Sequence, residues 1–172
     1  IIGRLHPQKG LEELLPHLSG LLDKLPGHDL VVAGEGPLRK KLKDAIKTPD
    51  LVGRVSLAGW VEDIPGFLAS IDVLVFPSLW EGMPNVVLEA MAAGVPIVSF
   101  RVQGITELLG DISSPQVVEP GDYTTFCRNV AMIAGSPEMA QDLGHTNAIE
   151  VERFSIKAMV DRYNQLYRDL SK

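Results

Sequence analysis

Two carboxylates, Glu81 and Glu89, flank the step Gly82-Met83-Pro84, with seven residues between them. Pro84 suits the first turn of a helix, and Gly94 followed by Pro96 marks its end. Such a start leaves the N–H groups of Asn85, Val86 and Val87 without intrahelical acceptors, and the helix dipole favours an anion there. Glu81 falls on the preceding loop. Glu89 falls on the second turn and leans back towards that loop, as helical side chains do. A phosphate on the amides and hydroxyls on the carboxylates satisfy both features, and a sugar phosphate carries both groups. Arg4 and Lys9 add positive charge. A lysine in the first turn of a predicted helix opposes the dipole at a cost of a few tenths of a kcal/mol. Either Lys9 is solvated or it serves a bound anion.

These residues need elements to position them. Residues 71–77 form an almost fully apolar run rich in β-branched side chains, the pattern of a strand buried on both faces of a parallel sheet. The loop 78–83 then lies at its carboxyl end, where open α/β sheets bind ligands. Residues 95–100 read as the next strand. Upstream, residues 1–5 read as a strand end. Leu11, Leu14, Leu15, Leu18, Leu22 and Leu25 predict a helix over 9–24 that Pro16 kinks or divides. Residues 29–33 and 54–59 are further strands, with Leu38, Leu42, Ala45 and Ile46 marking a helix between them. A short helix over 62–70, a loop with a short helix over 101–107 and an edge strand with its turn over 117–122 follow. Helices beginning near Tyr123, Ser136 and Ile156 complete the chain. This alternation predicts an α/β fold with a doubly wound, mostly parallel, Rossmann-like sheet in one domain, 1–172.

Composition narrows the classes. The chain has 172 residues, 45% hydrophobic and 22% charged, the balance of a globular domain with a sizeable core. No apolar run approaches the ~20 residues of a membrane span. The abrupt opening Ile1-Ile2-Gly3-Arg4 reads as a strand cut near its functional end, so an excised piece of a longer protein is expected. Cys127 is the single cysteine and falls on an apolar helical face, which predicts a buried thiol. His6, His17, His28 and His145 lack metal-ligand spacing, and no Asp-x-Asp pair follows a strand, so no metal is expected. A net charge of −6 argues against a nucleic-acid partner.

Glu81 and Glu89, together with Gly3-Arg4, Lys9-Gly10 and Gly34-Glu35-Gly36-Pro37, resemble the C-terminal, donor-binding half of the retaining, GT-B fold glycosyltransferases of family 4. The resemblance runs from Gly3-Arg4 to the last helix. It implies that Arg4 and Lys9 hold the diphosphate of a nucleotide sugar and that Gly34 borders the donor crevice. The base would lie on main-chain atoms after Gly59, at Trp60 and Val61, with Trp60 either flanking it or capping the core. Glu81 would touch the transferred sugar, without acting as nucleophile, and Glu89 the ribose hydroxyls. Gly3, Gly82, Met83, Pro84, Asn85, Val86 and Val87 complete the implied donor site, and Arg4, Lys9 and Glu81 its catalytic part.

The resemblance further implies a hexosyltransferase that uses no cofactor and no metal. Its donor would be a UDP-sugar, with GDP- and ADP-sugars open, and its role the synthesis of a polysaccharide, glycolipid or glycoconjugate. An acceptor glycan or lipid would be held by an N-terminal half, towards which the terminal helix, about 155–170, reaches back. The whole enzyme would be cytoplasmic and peripheral at the inner face of the membrane. The chain by itself would bind donor and transfer nothing. Gln103-Gly104 departs from the two glycines many relatives carry. Two other classes compete. A non-catalytic nucleotide or sugar-phosphate sensor has the same crevice. A nicotinamide-dependent oxidoreductase needs a third glycine, where Arg39-Lys40 stands instead. Arg39, Lys40, Lys41, Lys43 and Lys47 form either a solvated basic face or a contact for an anionic acceptor or membrane.

Overall fold

A computed structural model describes residues 1–110 and 114–171. Strand β1 (Leu30–Ala33) pairs in parallel with β2 (Val55–Gly59). Strand β3 (Leu74–Phe76) pairs in parallel with β4 (Ile97–Phe100), and β4 in parallel with β5 (Val117–Val118). The strand expected over 1–5 is a single bridge, Ile2 to Ala33, flanking β1. Ala33 N donates to Ile1 O and Gly3 N to Ala33 O, but then Leu5 N follows Glu35 and His6 N folds back to Arg4 O. No ladder joins this segment to β3 among the described residues. The expected sheet is therefore all-parallel but divided into ladders of two and three strands.

Both faces of β3, β4 and β5 are buried, as the apolar runs predict, whereas β2 exposes Ser56 and Ala58. Leu74, Phe76, Ile97 and Val117 enter one hydrophobic cluster with Leu68 of α4 (Ile64–Leu68), Val87, Ala90 and Met91 of α5 (Asn85–Ala92), and Ile105 and Leu108 of α6 (Ile105–Leu109). Val75, Val98, Phe100 and Val118 enter the other. There they meet Leu14 of α1 (Leu11–Leu14), Leu18 and Leu22 of α2 (Leu18–Leu22), Leu42 of α3 (Arg39–Ala45), and Phe126, Val130 and Ile133 of α7 (Tyr123–Ala134). Helices on both faces of parallel strands make the doubly wound arrangement. Phe100 packs against Phe126 with ring centroids 4.7 Å apart, and Cys127 is buried beside them.

Local chemistry set several boundaries differently from the sequence reading. Pro16 divides the helix expected over 9–24 into α1 and α2, with the 3-10 turn Leu15–His17 between them. Lys9 ends a separate 3-10 turn, Pro7–Lys9, so it does not sit in the first turn of α1 and opposes no dipole there. As expected over 117–122, β5 is a short strand followed by a turn, and Asp122 caps α7, accepting from Thr125 N at 2.9 Å. Ser136 caps α8 (Pro137–Glu150) as expected, accepting from Met139 N. The last helix, α9 (Ile156–Leu170), buries none of its residues. Its apolar stripe of Ile156, Met159, Val160, Tyr163, Leu166 and Tyr167 is exposed. No helix among the described residues is long and apolar enough to cross a membrane.

Candidate functional site

The turn Pro7–Lys9 is fastened to the loop after β3. Gly10 ends it at φ 64°, and a Cβ there would stand 2.0 Å from Pro77 O. Leu79 N donates to Gln8 O at 2.9 Å, and Gln8 Nε2 donates to Trp80 O at 2.8 Å. These contacts carry Lys9 to Glu81: Nζ lies 2.5 Å from Oε1, with the side chains 18% and 9% exposed. Lys9 Nζ also sits over the Phe76 ring, 5.1 Å from its centroid. Beside them Ser78 is fully buried, and its Oγ has no hydrogen-bond partner among the described residues. Ser78, Lys9, Gly3 and Arg4 line one narrow gap between the first segment and β3.

On the other side of Gly3 and Arg4 opens a cavity of about 440 Å³, walled by Ala33, Gly34, Glu35, Trp60, Val61 and Ile64. It lies at the carboxyl ends of β1 and β2, the ligand edge of an open α/β sheet. A Cβ on Gly34 would meet Gly3 O at 1.9 Å, so the two chain segments meet only because Gly34 has no side chain. Trp60 is 74% exposed, which rules out the core-capping role and leaves it at the cavity wall. The Arg4 side chain is exposed and has no partner among the described residues. Three of the five cations of the basic helix face are paired: Arg39 with Glu35, Lys41 with Glu12 and Lys47 with Asp44.

Pro84 is the buried N-cap of α5, and the helix begins at Asn85. Val87 N donates to Pro84 O at 3.0 Å, so its amide is not free as expected. The tight first turn takes it. The N–H groups of Asn85 and Val86 have no acceptor among the described residues and remain available. Gly104 explains the loop that departs from the family pattern. It stands at φ 82°, and a Cβ on it would lie 1.9 Å from Gly82 O. Only that second position needs a glycine.

The expected residues therefore fall into groups. Gly3, Arg4, Gly34, Trp60 and Val61 share one cavity, and Lys9 and Glu81 form an ion pair at its flank. Glu89 is exposed without a side-chain partner among the described residues, and it lines neither cavity. Met83 lies apart, in a cavity of about 450 Å³ between Leu88 of α5 and Met159, Tyr163 and Leu166 of α9. Sequence reasoning missed Gln8, Gly10, Ser78 and Gly104 as positioning residues. Gly10 carried a signal, as a glycine between a Pro-containing turn and a helical leucine period.

A family model described as "Glycosyl transferases group 1" matches residues 1–136. The lipopolysaccharide core biosynthesis glycosyltransferase LpsE of Rhizobium meliloti (strain 1021) is 34% identical over 168 residues, covering 96% of this chain and 48% of its own. The UDP-Gal:alpha-D-GlcNAc-diphosphoundecaprenol alpha-1,3-galactosyltransferase of Escherichia coli is 31% identical over 175 residues, covering 99% of this chain and 45% of its own. The chain thus spans about half the length of these curated relatives. A crystal structure of a TarM mutant of S. aureus, in complex with Fondaparinux, alpha-GlcNAc-glycerol and UDP, superposes with a TM-score of 0.88 at 20% identity. It covers 96% of this chain and 34% of TarM, and shows that the two share the GT-B half-fold. On the family model and the near-complete alignment with LpsE, the chain belongs to the group 1 glycosyl transferases.

Proposed function

We propose that the chain is the donor-binding half of a retaining hexosyltransferase and takes a UDP-sugar. One observation carries this reading: a cavity sized for a nucleoside opens between Arg4 and Trp60 and adjoins the cation of Lys9. The Escherichia coli relative is named for a UDP-galactose donor, and the TarM structure contains UDP; both support uridine over guanosine or adenosine. In this reading the base lies against Trp60 and Val61, and the diphosphate between Arg4, Lys9 and the free amides of Asn85 and Val86. Glu81 addresses the transferred sugar and Glu89 the ribose hydroxyls.

The hard step is departure of the diphosphate as the sugar gains oxocarbenium character. Arg4, Lys9 and the two amides stabilise the charge on that leaving group. Exclusion of water when a second domain closes strengthens each of these interactions. The acceptor, a glycan or lipid, belongs to the half that the relatives have and this chain does not span. The exposed stripe of α9 faces that half, at the cytoplasmic side of a membrane, in an enzyme that builds a polysaccharide or glycoconjugate. The chain alone binds donor and does not turn it over.

Calorimetric titration with UDP, GDP and ADP tests the donor site. UDP should bind saturably, and Lys9→Ala and Glu89→Ala should each weaken it about tenfold, the worth of a charge-assisted hydrogen bond. Absence of binding at millimolar nucleotide, both here and in the full-length protein, would overturn the reading.

A further inference from the structure

We propose that the Lys9–Glu81 ion pair is an exchange latch that makes the site prefer an intact nucleotide-sugar donor over the nucleoside diphosphate product. This rests on the donor reading and concerns how that site is regulated. Lys9 Nζ and Glu81 Oε1 stand 2.5 Å apart with little exposure of either side chain. The lysine has little room to serve two masters. Its stem runs beside Gly3, the Phe76 ring lies under its Nζ, and Gly10 sets its turn close against Pro77 O. Gln8 holds the same turn to Leu79 and Trp80, the residues just before Glu81.

A diphosphate entering beside Arg4 must therefore take the Lys9 ammonium from Glu81. Two acidic phosphates outcompete one carboxylate for it, but the exchange leaves Glu81 as a mostly buried anion without its counter-ion, a costly state. Only hydroxyl donors brought at the same moment offset that cost. An intact nucleotide sugar carries both groups, the diphosphate for Lys9 and the hydroxyls for Glu81. The product nucleotide carries only the first. After transfer the bare Glu81 reclaims Lys9 and the diphosphate is expelled. The pair is also a check on sugar-free occupancy. Coupling of this kind acts in both directions, so the sugar must tighten the diphosphate as much as the diphosphate tightens the sugar.

The test is titration of the chain, Glu81→Gln, Lys9→Met and the double variant with inorganic diphosphate, UDP and UDP-glucose, with a urea midpoint for each to verify folding. Glu81→Gln frees the ammonium without changing shape. It should bind diphosphate and UDP about tenfold more tightly than the natural chain, a factor between those of exposed and buried pairs. The preference for UDP-glucose over UDP should shrink by a similar factor. In the Lys9→Met background, Glu81→Gln should change UDP affinity less than about twofold, because the coupling is gone. If the natural chain binds UDP and Glu81→Gln binds it equally or more weakly, the latch is overturned and the donor reading stands. If neither binds diphosphate or any nucleotide, here and in the full-length protein alike, the donor reading falls and the latch with it.

Discussion

Replacing Gly10 and Gly53 separately by alanine isolates what holds the Lys9 turn in place. Both glycines adopt left-handed backbone, at φ 64° and φ 78°, so alanine pays the same local penalty of about 1 kcal/mol at each. Their surroundings differ. Nothing lies within 4 Å of a Cβ on Gly53, whereas a Cβ on Gly10 would lie 2.0 Å from Pro77 O. Backbone cannot yield as a flexible side chain does, so the turn Pro7–Lys9 must lift away from β3. That movement breaks two hydrogen bonds, Leu79 N to Gln8 O and Gln8 Nε2 to Trp80 O, each worth about 1 kcal/mol. Gly10→Ala should therefore cost about 3 kcal/mol and Gly53→Ala about 1 kcal/mol. Urea unfolding at 25 °C measures both, and equal m values would show that the difference is one of native stability. Gly10→Ala should also weaken UDP in titration, since it carries Lys9 away from the site, and Gly53→Ala should not. Equal costs within about 0.5 kcal/mol would refute the claim that close approach, rather than backbone conformation, fixes the turn.

A buried polar junction gives another test. Asn147 of α8 exchanges hydrogen bonds with Gln116 at 2.8 and 2.9 Å and donates to Val95 O at 3.1 Å, so Asn147→Leu strands the Gln116 amide and the Val95 carbonyl. It should cost about 3 kcal/mol, and adding Gln116→Leu, which also strands the Ile97 N–H, should cost less than the sum of the two single changes in a double-mutant cycle.

The features legible in the sequence are those that punctuation and period control. Pro84 and Gly94 bracket α5, Pro16 interrupts the leucine period, and Ser136 caps α8; each acts within a few residues of itself. The apolar runs likewise announce buried strands, because no other parallel arrangement hides both faces. Pairing is different. Whether residues 1–3 ladder with β3 depends on Gly34 admitting Gly3 at one side and on Gly10 meeting Pro77 at the other, and neither contact has a local signature. Gln116 and Asn147 illustrate the same limit from inside the core, since composition assigns such residues to the surface until each is seen to satisfy the other. Lys9 and Glu81 are 72 positions apart and each looks, in isolation, like a ligand-binding residue waiting for its ligand. The fold gives each the other as partner. A site read from motifs therefore comes out as a sum of free groups, whereas in the fold Lys9 and Glu81 neutralise each other and, of the charged residues expected in the site, only Arg4 and Glu89 stay without a side-chain partner among the described residues.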